Sequence, residues 1–184
     1  MRTKKRRVVG AVLGLGCLVA LSAQLPAQAA NGKRFEFSTS ISIWEALAGW
    51  AFDLLQANID VPTRFGFYVY KGLEFEPELF LTFPAQTGEI GILAFGNVAY
   101  NWPLSREARF FVLGGVGIAN GAQVYSSAVD RQNGVLALDL GTGVKRMIAR
   151  STAVRLEYRF ISYSVPASRN WNDHTFLAGI SIFF

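Results

Sequence analysis

Thiols and imidazoles are nearly absent from this sequence of 184 residues, which contains one cysteine, Cys17, and one histidine, His174. Cys17 lies within the N-terminal export segment described next, so the mature chain is expected to contain no thiol. A chain without thiols forms no disulfide and performs no thiolate chemistry. Covalent cross-links and cysteine-based catalysis are therefore excluded.

The chain has no net charge beyond its N-terminal segment. The formal net charge of +5 equals the contribution of five cations at the extreme N-terminus, Arg2, Lys4, Lys5, Arg6 and Arg7. These cations precede the apolar run VVGAVLGLGCLVALSAQL and a small-residue site, Ala27-Gln28-Ala29, which together are typical of a secretory signal peptide. Residues 1–30 are predicted to be this signal, with cleavage after Ala29 or Ala30, and residues 31–184 to form a single domain. The neutral mature chain offers no basis for nucleic-acid binding.

Lipidation of Cys17 is an alternative, because the string LGC is similar to lipoprotein sites. Gly14 at the −3 position and the apolar run that continues after Cys17 argue against it.

Long apolar runs are absent beyond the signal, which excludes a transmembrane helix. Hydrophobic residues nevertheless make up 51% of the chain and aromatic residues 14%. They alternate with polar residues at every second position, as they do in strands. Residues 154–160 are typical, because one face is wholly apolar and the other carries Arg155, Glu157 and Arg159. The same pattern predicts eight strands, at about 35–43, 63–70, 73–83, 90–102, 110–118, 136–145, 154–160 and 175–184. Segment 45–62 has the weakest pattern and fits a loop, a short helix or an extension of the second strand.

Eight alternating strands fit either a soluble lipocalin-like barrel with its apolar face inward or an outer-membrane barrel with its apolar face toward lipid. The long apolar faces, and opposite faces with charges of both signs, favour an all-β, eight-stranded antiparallel transmembrane barrel. Such a barrel is expected to be monomeric and, because eight strands leave room only for side chains, not a porin-like channel. The turns at 70–72, 103–107 and 148–151 are predicted to be periplasmic, and the longest gaps, 45–62, 121–133 and 165–173, external.

The C-terminal segment resembles the signal that barrel-assembly machinery recognises in outer-membrane proteins. Gly179, Ile182 and Phe184 match that pattern, whereas Leu177 departs from it because a polar residue is usual there. The resemblance implies that the assembly machinery is a partner during insertion.

The parity of the last two strands predicts a possible reactive pair. With a hairpin centre near residue 168, Ser162 would lie opposite His174, and both would face lipid near the external rim. A serine within hydrogen-bond reach of a histidine is the minimum for an activated nucleophile. The alternative is an ordinary polar rim, in which residues 165–173 form a turn with Trp171 as an interfacial anchor.

Residues 73–184 resemble the lipid A 3-O-deacylases, the PagL-like acyloxyacyl hydrolases. The resemblance lies in LEFEPELF, FFVLGGVGIANG and RLEYRF, followed by Ser162, an Asn-containing loop and a Gly-bearing aromatic end. It implies an eight-stranded outer-membrane barrel that hydrolyses the 3-position acyl ester of lipid A at its lipid-facing wall, with a His-x-Ser pair and a later acid. Lipid A and lipopolysaccharide would then be partners, in the bacterial outer membrane, with no cofactor and no metal.

The chain departs from the family at the base, because Phe160 stands where the His-x-Ser motif has its histidine. Asp173 and His174 lie near the place expected for the family's acid. One hypothesis is that Ser162 is the nucleophile and His174 its base, with Asn170 or Asn172 as oxyanion donors. The other is a non-catalytic barrel, structural or surface-interacting, that has lost the family's histidine.

Two further motifs have structural interpretations. GVGIANG at 115–121 is not a dinucleotide loop, because its glycines alternate along a strand and no helix follows. The row Glu74, Glu76 and Glu78 could suggest a metal, but carboxylates in a small barrel more often pair with interior arginines.

Overall fold

The structure, a computed structural model, describes residues 34–42, 59–83, 90–120, 134–164 and 171–184. In these ranges eight antiparallel strands form a closed barrel in which each strand pairs with its sequence neighbours and the first pairs with the last. The strands are β1 Phe35–Ser42, β2 Ile59–Tyr70, β3 Leu73–Phe83, β4 Gly91–Pro103, β5 Ala108–Ala119, β6 Val135–Ala149, β7 Thr152–Ser164 and β8 Trp171–Phe183. The predicted fold class is confirmed. No helix within the described ranges is long and apolar enough to span a membrane.

Alternating burial follows the period-two pattern of the sequence. On β7, Arg155, Glu157 and Arg159 are buried in the lumen, whereas Leu156 between them is exposed on the outer wall. Successive side chains of a strand point to opposite faces, so a closed sheet separates the two sets completely. The predicted orientation, with charges inside and apolar residues outside, is confirmed.

Several strands extend beyond their predicted bounds, among them β7, which spans Thr152–Ser164 where 154–160 was predicted. Residues 59–62 belong to β2, because Asp60 and Pro62 alternate inward against Ile59 and Val61. β6 extends to Ala149, and β8 begins at Trp171, which shortens the connection before it to 165–170. The predicted signal peptide at 1–30 and the remainder of segment 45–62, up to residue 58, lie outside the described residues.

The two ends of the barrel are joined differently. At one end, here named the short-turn end, short turns link β2 to β3, β4 to β5 and β6 to β7. The turn at Lys71 and Gly72 has positive φ at both residues, 23° and 93°, as a two-residue type I′ hairpin requires. Residues 43–58, 84–89, 121–133 and 165–170 connect strands at the opposite end, here named the long-connection end.

The barrel closes beside Phe184 at the short-turn end. The backbone N–H of Phe184 donates to the carbonyl of Phe35 at 3.0 Å, and the N–H of Phe35 donates to the carbonyl of Phe184 at 3.2 Å. Outside the barrel the two rings stack with centroids 5.9 Å apart, and Phe65 lies edge-on to Phe184 at 5.7 Å.

The lumen has two zones that the strand pattern alone did not predict. Its middle and short-turn half hold most of the charged side chains, while the buried Asp60 lies in the other half, where its carboxylate accepts a hydrogen bond from Thr82. Its half toward the long-connection end holds an apolar cluster: Phe80, Leu93, Phe95, Ala119, Val135, Ala137, Ile161, Tyr163 and Leu177. The lumen is therefore packed with side chains over both zones.

Candidate functional site

Arg155 links opposite walls of the lumen. From β7 its guanidinium donates two hydrogen bonds to the Glu76 carboxylate on β3, at 2.7 Å and 3.1 Å. Its Nε donates a third to Glu157 at 2.7 Å. A guanidinium that binds a carboxylate through two donors fixes orientation as well as charge. This contact therefore holds two strands from opposite sides of the barrel at a fixed distance.

Arg159 and Arg64 form the next layer toward the long-connection end. Arg159 donates to Glu78 and Glu157, each at 2.8 Å, and to the Asp139 carboxylate. Arg64 donates to Glu78 at 3.0 Å and lies 3.1 Å from Glu157. Each carboxylate in this layer contacts at least one guanidinium, so the buried charges are compensated inside a water-poor lumen.

Lys145 forms the layer on the other side of Arg155. Its ammonium lies 2.7 Å from Glu36, 2.9 Å from Glu74 and 3.4 Å from Glu76. In the described part of the chain, these three glutamates are the only carboxylate group arranged closely enough to hold a metal ion. The Lys145 ammonium contacts all three carboxylates, and the Arg155 guanidinium contacts Glu36 and Glu76, so this group already has two cationic partners. The prediction that the row Glu74, Glu76 and Glu78 pairs with interior arginines is confirmed for Glu76 and Glu78, whereas Glu74 pairs with Lys145.

Neutral groups complete this lattice. Asn97 donates to Glu78 at 2.7 Å, Asn101 to Glu74 at 2.9 Å and the Tyr68 hydroxyl to Glu36 at 2.7 Å. The Phe111 ring lies 4.3 Å from the Arg155 guanidinium, a cation–π distance. We name Arg64, Lys145, Arg155, Arg159 and the six carboxylates bound to them the lumen lattice. It joins β1, β2, β3, β6 and β7, and each of its carboxylates contacts at least one cation.

Glycines on the inner face make room for the lumen lattice. A side chain at Gly66 would collide with the Glu74 carboxylate. A Cβ at Gly143 would lie 2.7 Å from the Phe111 ring and would also collide with the backbone carbonyl of Leu156. The narrow bore of an eight-stranded barrel explains this requirement, because long charged side chains need the volume that glycine leaves free.

The outer wall carries the two predicted reactive residues, but the strand register differs from the prediction. Ser162 pairs with Asn172, and His174 pairs with Phe160. The hairpin centre lies at 167, one residue before the predicted position, so the prediction that Ser162 lies directly opposite His174 was wrong by two residues. The prediction of a shared face is confirmed, since both residues alternate outward with their apolar neighbours. They are diagonal neighbours, a relation that separates two residues by roughly 7–8 Å, with the Cβ atoms somewhat closer.

His174 has a different partner. Its Nδ1 lies 2.6 Å from the hydroxyl oxygen of Tyr158, and its ring lies 5.0 Å from the Phe160 ring. Tyr158 is diagonal to His174 on the side away from Ser162. In the described ranges no hydrogen bond joins Ser162 to His174. The sequence analysis did not predict the contact between Tyr158 and His174. The outward position of Tyr158 on β7 was the only signal for it.

The polar residues around His174 are divided between the two faces. Asp173 accepts the backbone N–H of His174 at 2.8 Å, but by alternation its side chain belongs to the inner face. Asn172 is brought directly opposite Ser162 on the outer face. Asn170 lies outside the described residues. The structure therefore brings together Ser162 with Asn172 and His174 with Tyr158, and leaves the two pairs separate.

Comparison with known proteins identifies the fold and no closer relationship. No protein-family model and no curated protein matches the chain. The N-terminal β-barrel domain of Pseudomonas aeruginosa OprF matches with a TM-score of 0.59 and 11% identity, over 84% of this chain and 100% of that one. Neisserial surface protein A matches with a TM-score of 0.57 and 12% identity, over 85% of this chain and 100% of that one. A designed transmembrane β-barrel matches with a TM-score of 0.55 and 9% identity, over 86% and 100%. The chain thus has the eight-stranded barrel fold of small outer-membrane proteins.

Proposed function

We propose that this protein is a structural, non-catalytic barrel of the bacterial outer membrane that presents its long connections at the cell surface for interaction with other molecules. The observation that carries the proposal is the lumen lattice. Arg155 and Lys145 reach across the bore to carboxylates on β1 and β3, so the interior serves to hold the strands together. What remains for function is the outer wall and the connections.

The outer wall supports a membrane location. Large apolar side chains are exposed around the barrel, among them Leu138 at 53%, Leu156 at 53% and Ile118 at 64% exposure. Lipid chains stabilise such a surface, whereas water does not. With the termini in the periplasm, the long-connection end faces outward. Neisserial surface protein A, which shares the fold, is by its name a surface protein.

Two experiments test this proposal. In planar bilayers the purified barrel is expected to show no steady ion conductance, and a stable open channel would contradict the structural role of the lumen. In intact cells, a cysteine placed at Ser126, in a long connection, should react with a membrane-impermeant maleimide. A cysteine at Ser105, in a short turn, should react only after the outer membrane is opened. The thiol-free mature chain makes both labels specific.

A second candidate function is favoured by the shared face of Ser162 and His174. In this proposal the protein is a lipid A deacylase-type serine esterase of the outer leaflet. His174 would take the proton of the Ser162 hydroxyl as its oxygen attacks the ester carbonyl, and would then give that proton to the departing sugar oxygen. Water would cleave the acyl-enzyme, restoring Ser162 and releasing the fatty acid. No metal is needed, and Asn172 could donate to the oxyanion.

The geometry ranks this candidate second for two reasons. His174 would have to leave the Tyr158 hydroxyl and turn toward Ser162, and Phe160 occupies the position of the base in the lipid A deacylases. An oriented base is what makes a serine hydroxyl reactive. Ester hydrolysis that requires both Ser162 and His174 would establish the esterase and overturn the structural proposal.

A further inference from the structure

The short-turn end carries positive side chains spaced around its circumference. Arg34 precedes β1, Lys71 lies between β2 and β3, Arg106 lies between β4 and β5, and Arg146 is near the end of β6. All four are exposed, and we name them the cationic collar. Glu107 is the one exposed side-chain carboxylate in the described residues of this end. The end as a whole is therefore electropositive.

Aromatic side chains on the outer wall lie next to the cationic collar. Trp102 has its ring centroid 4.4 Å from that of Tyr100 and 5.9 Å from that of Phe110, and Tyr70 is 66% exposed. Aromatic girdles of this kind lie at the boundary between the acyl chains and the headgroups. The ammonium of Lys71 lies 5.4 Å from the exposed Tyr70 ring at the same end. Phe110 of the girdle pairs with Val144, two residues before Arg146, so we expect the guanidinium of Arg146 at the level of the headgroups.

Arg146 shows that the collar is directed toward lipid. It pairs in register with Ala108 on β5 and Val154 on β7, and it shares the outward face of β6 with the exposed Val144. Its neighbour Lys145 points into the lumen instead. The guanidinium of Arg146 therefore extends outside the barrel, beside the surrounding lipids.

We propose that the cationic collar binds the phosphate groups of anionic phospholipids, such as phosphatidylglycerol, in the periplasmic leaflet around the barrel. Guanidinium and ammonium groups at a membrane surface are attracted to anionic headgroups, and guanidinium matches phosphate oxygens with two donors. A ring of cations on all sides suits a shell of lipids, whereas a single acidic protein would need them on one side. The proposal rests on the orientation in the proposed function, with the short-turn end in the periplasm.

Fluorescence quenching of Trp102 by brominated lipids tests this proposal. The probe is a full-length mature protein in which Trp44, Trp50 and Trp171 are replaced by phenylalanine, reconstituted in vesicles of phosphatidylcholine with brominated phosphatidylglycerol or brominated phosphatidylcholine. We expect brominated phosphatidylglycerol to quench Trp102 more strongly at low salt, and the preference to weaken at high salt. Each cation removed should weaken the preference by about fivefold.

Three matched variants isolate the charge. The triple variant Lys71→Gln, Arg106→Gln, Arg146→Gln should lose the preference, whereas Arg106→Lys with Arg146→Lys should keep most of it. Glu107→Gln should increase it. Equal quenching by the two lipids in the parent protein would overturn the proposal, as would an undiminished preference in the triple glutamine variant. An acidic macromolecule would then be the better candidate ligand of the collar. The Ser105 cysteine label distinguishes failure of the proposed orientation from failure of the lipid-binding proposal. Labelling of Ser105→Cys in intact cells would show that the short-turn end is external. The lipid preference measured in vesicles does not depend on that orientation.

Discussion

The hydroxyl oxygen of Tyr158 lies 2.6 Å from Nδ1 of His174 on the outer wall of the barrel. This contact engages the chain's only imidazole with a residue on the side of His174 away from Ser162. His174 is exposed on the outer wall, where it contacts the Tyr158 hydroxyl and lies beside the Phe160 ring. The relation between these two residues separates the structural proposal from the catalytic one.

Substituting Tyr158 with phenylalanine should change the state of His174. Loss of the hydroxyl removes the partner of Nδ1, so we expect the nitrogen resonances of labelled His174 to shift as the tautomers redistribute. Nitrogen NMR in detergent micelles detects this directly, because the chain has one histidine. Tyr100→Phe, on the outer wall near the short-turn end, is the control and should leave the spectrum unchanged. Identical spectra for Tyr158→Phe and the parent would show that the hydrogen bond is absent.

Truncating Arg155 should strongly destabilise the barrel. Arg155→Ala leaves Glu76 and Glu157 without their shared guanidinium inside the lumen, and breaking a buried ion pair costs about 3–5 kcal/mol. Urea unfolding of the barrel in lipid vesicles measures this cost. Val154→Ala, the adjacent residue on the outer face, is the control and should cost much less. A loss of stability in Arg155→Ala no larger than in Val154→Ala would show that the lumen lattice does not stabilise the fold.

Adding one methyl group at Gly143 should also destabilise the barrel. Its Cβ would lie 2.7 Å from the Phe111 ring, which stacks on Arg155, and overpacking of this kind costs about 1–3 kcal/mol. Gly96→Ala is the matched control on β4, because the nearest atom to its Cβ is a Phe75 ring carbon at 4.0 Å. The same urea titration compares the two variants. Equal midpoints for Gly143→Ala and Gly96→Ala would contradict the packing described for the lumen.

Removing the Phe184 ring should reduce insertion in cells more than stability in vitro. The sequence predicts that the barrel-assembly machinery recognises this tail, and the ring also stacks on Phe35 at 5.9 Å. In Phe184→Ala we expect less folded barrel in the outer-membrane fraction, measured by its heat-modifiable mobility on gels. Phe176→Ala, an exposed aromatic on β8, the strand that ends just before Phe184, is the control. Equal amounts of folded protein in the two variants would argue against recognition of Phe184.

Backbone periodicity made most of the fold predictable from the sequence. Arg155, Glu157 and Arg159 alternate with apolar neighbours, and a strand has no other way to place three charges away from lipid. The pairing of the glutamate row with interior cations follows from the same physics, because an unpaired carboxylate in a narrow lumen is costly. The apolar cluster that contains Phe80, Leu93 and Phe95 was not predicted, although alternation from Glu78 and Asn97 places these residues on the inner face.

The candidate site was less predictable because it depends on register and rotamers. A shift of one residue in the centre of the β7–β8 hairpin moved the partner of Ser162 from His174 to Asn172. Alternation fixes the face of a residue but not which residue lies opposite, which the connection determines. The rotamer of His174 determines that it contacts Tyr158 rather than Ser162, and a sequence pattern does not predict rotamers.

Mass spectrometry of lipid A tests the central claim most directly. Lipid A would be extracted from Gram-negative cells that express the inserted barrel, beside cells expressing Ser162→Ala and His174→Ala. The structural proposal predicts the same lipid A in all three cultures, with folded protein shown in the outer membrane of each. Loss of one hydroxyacyl chain in the parent culture, but in neither variant, would contradict it and make this barrel a lipid A esterase.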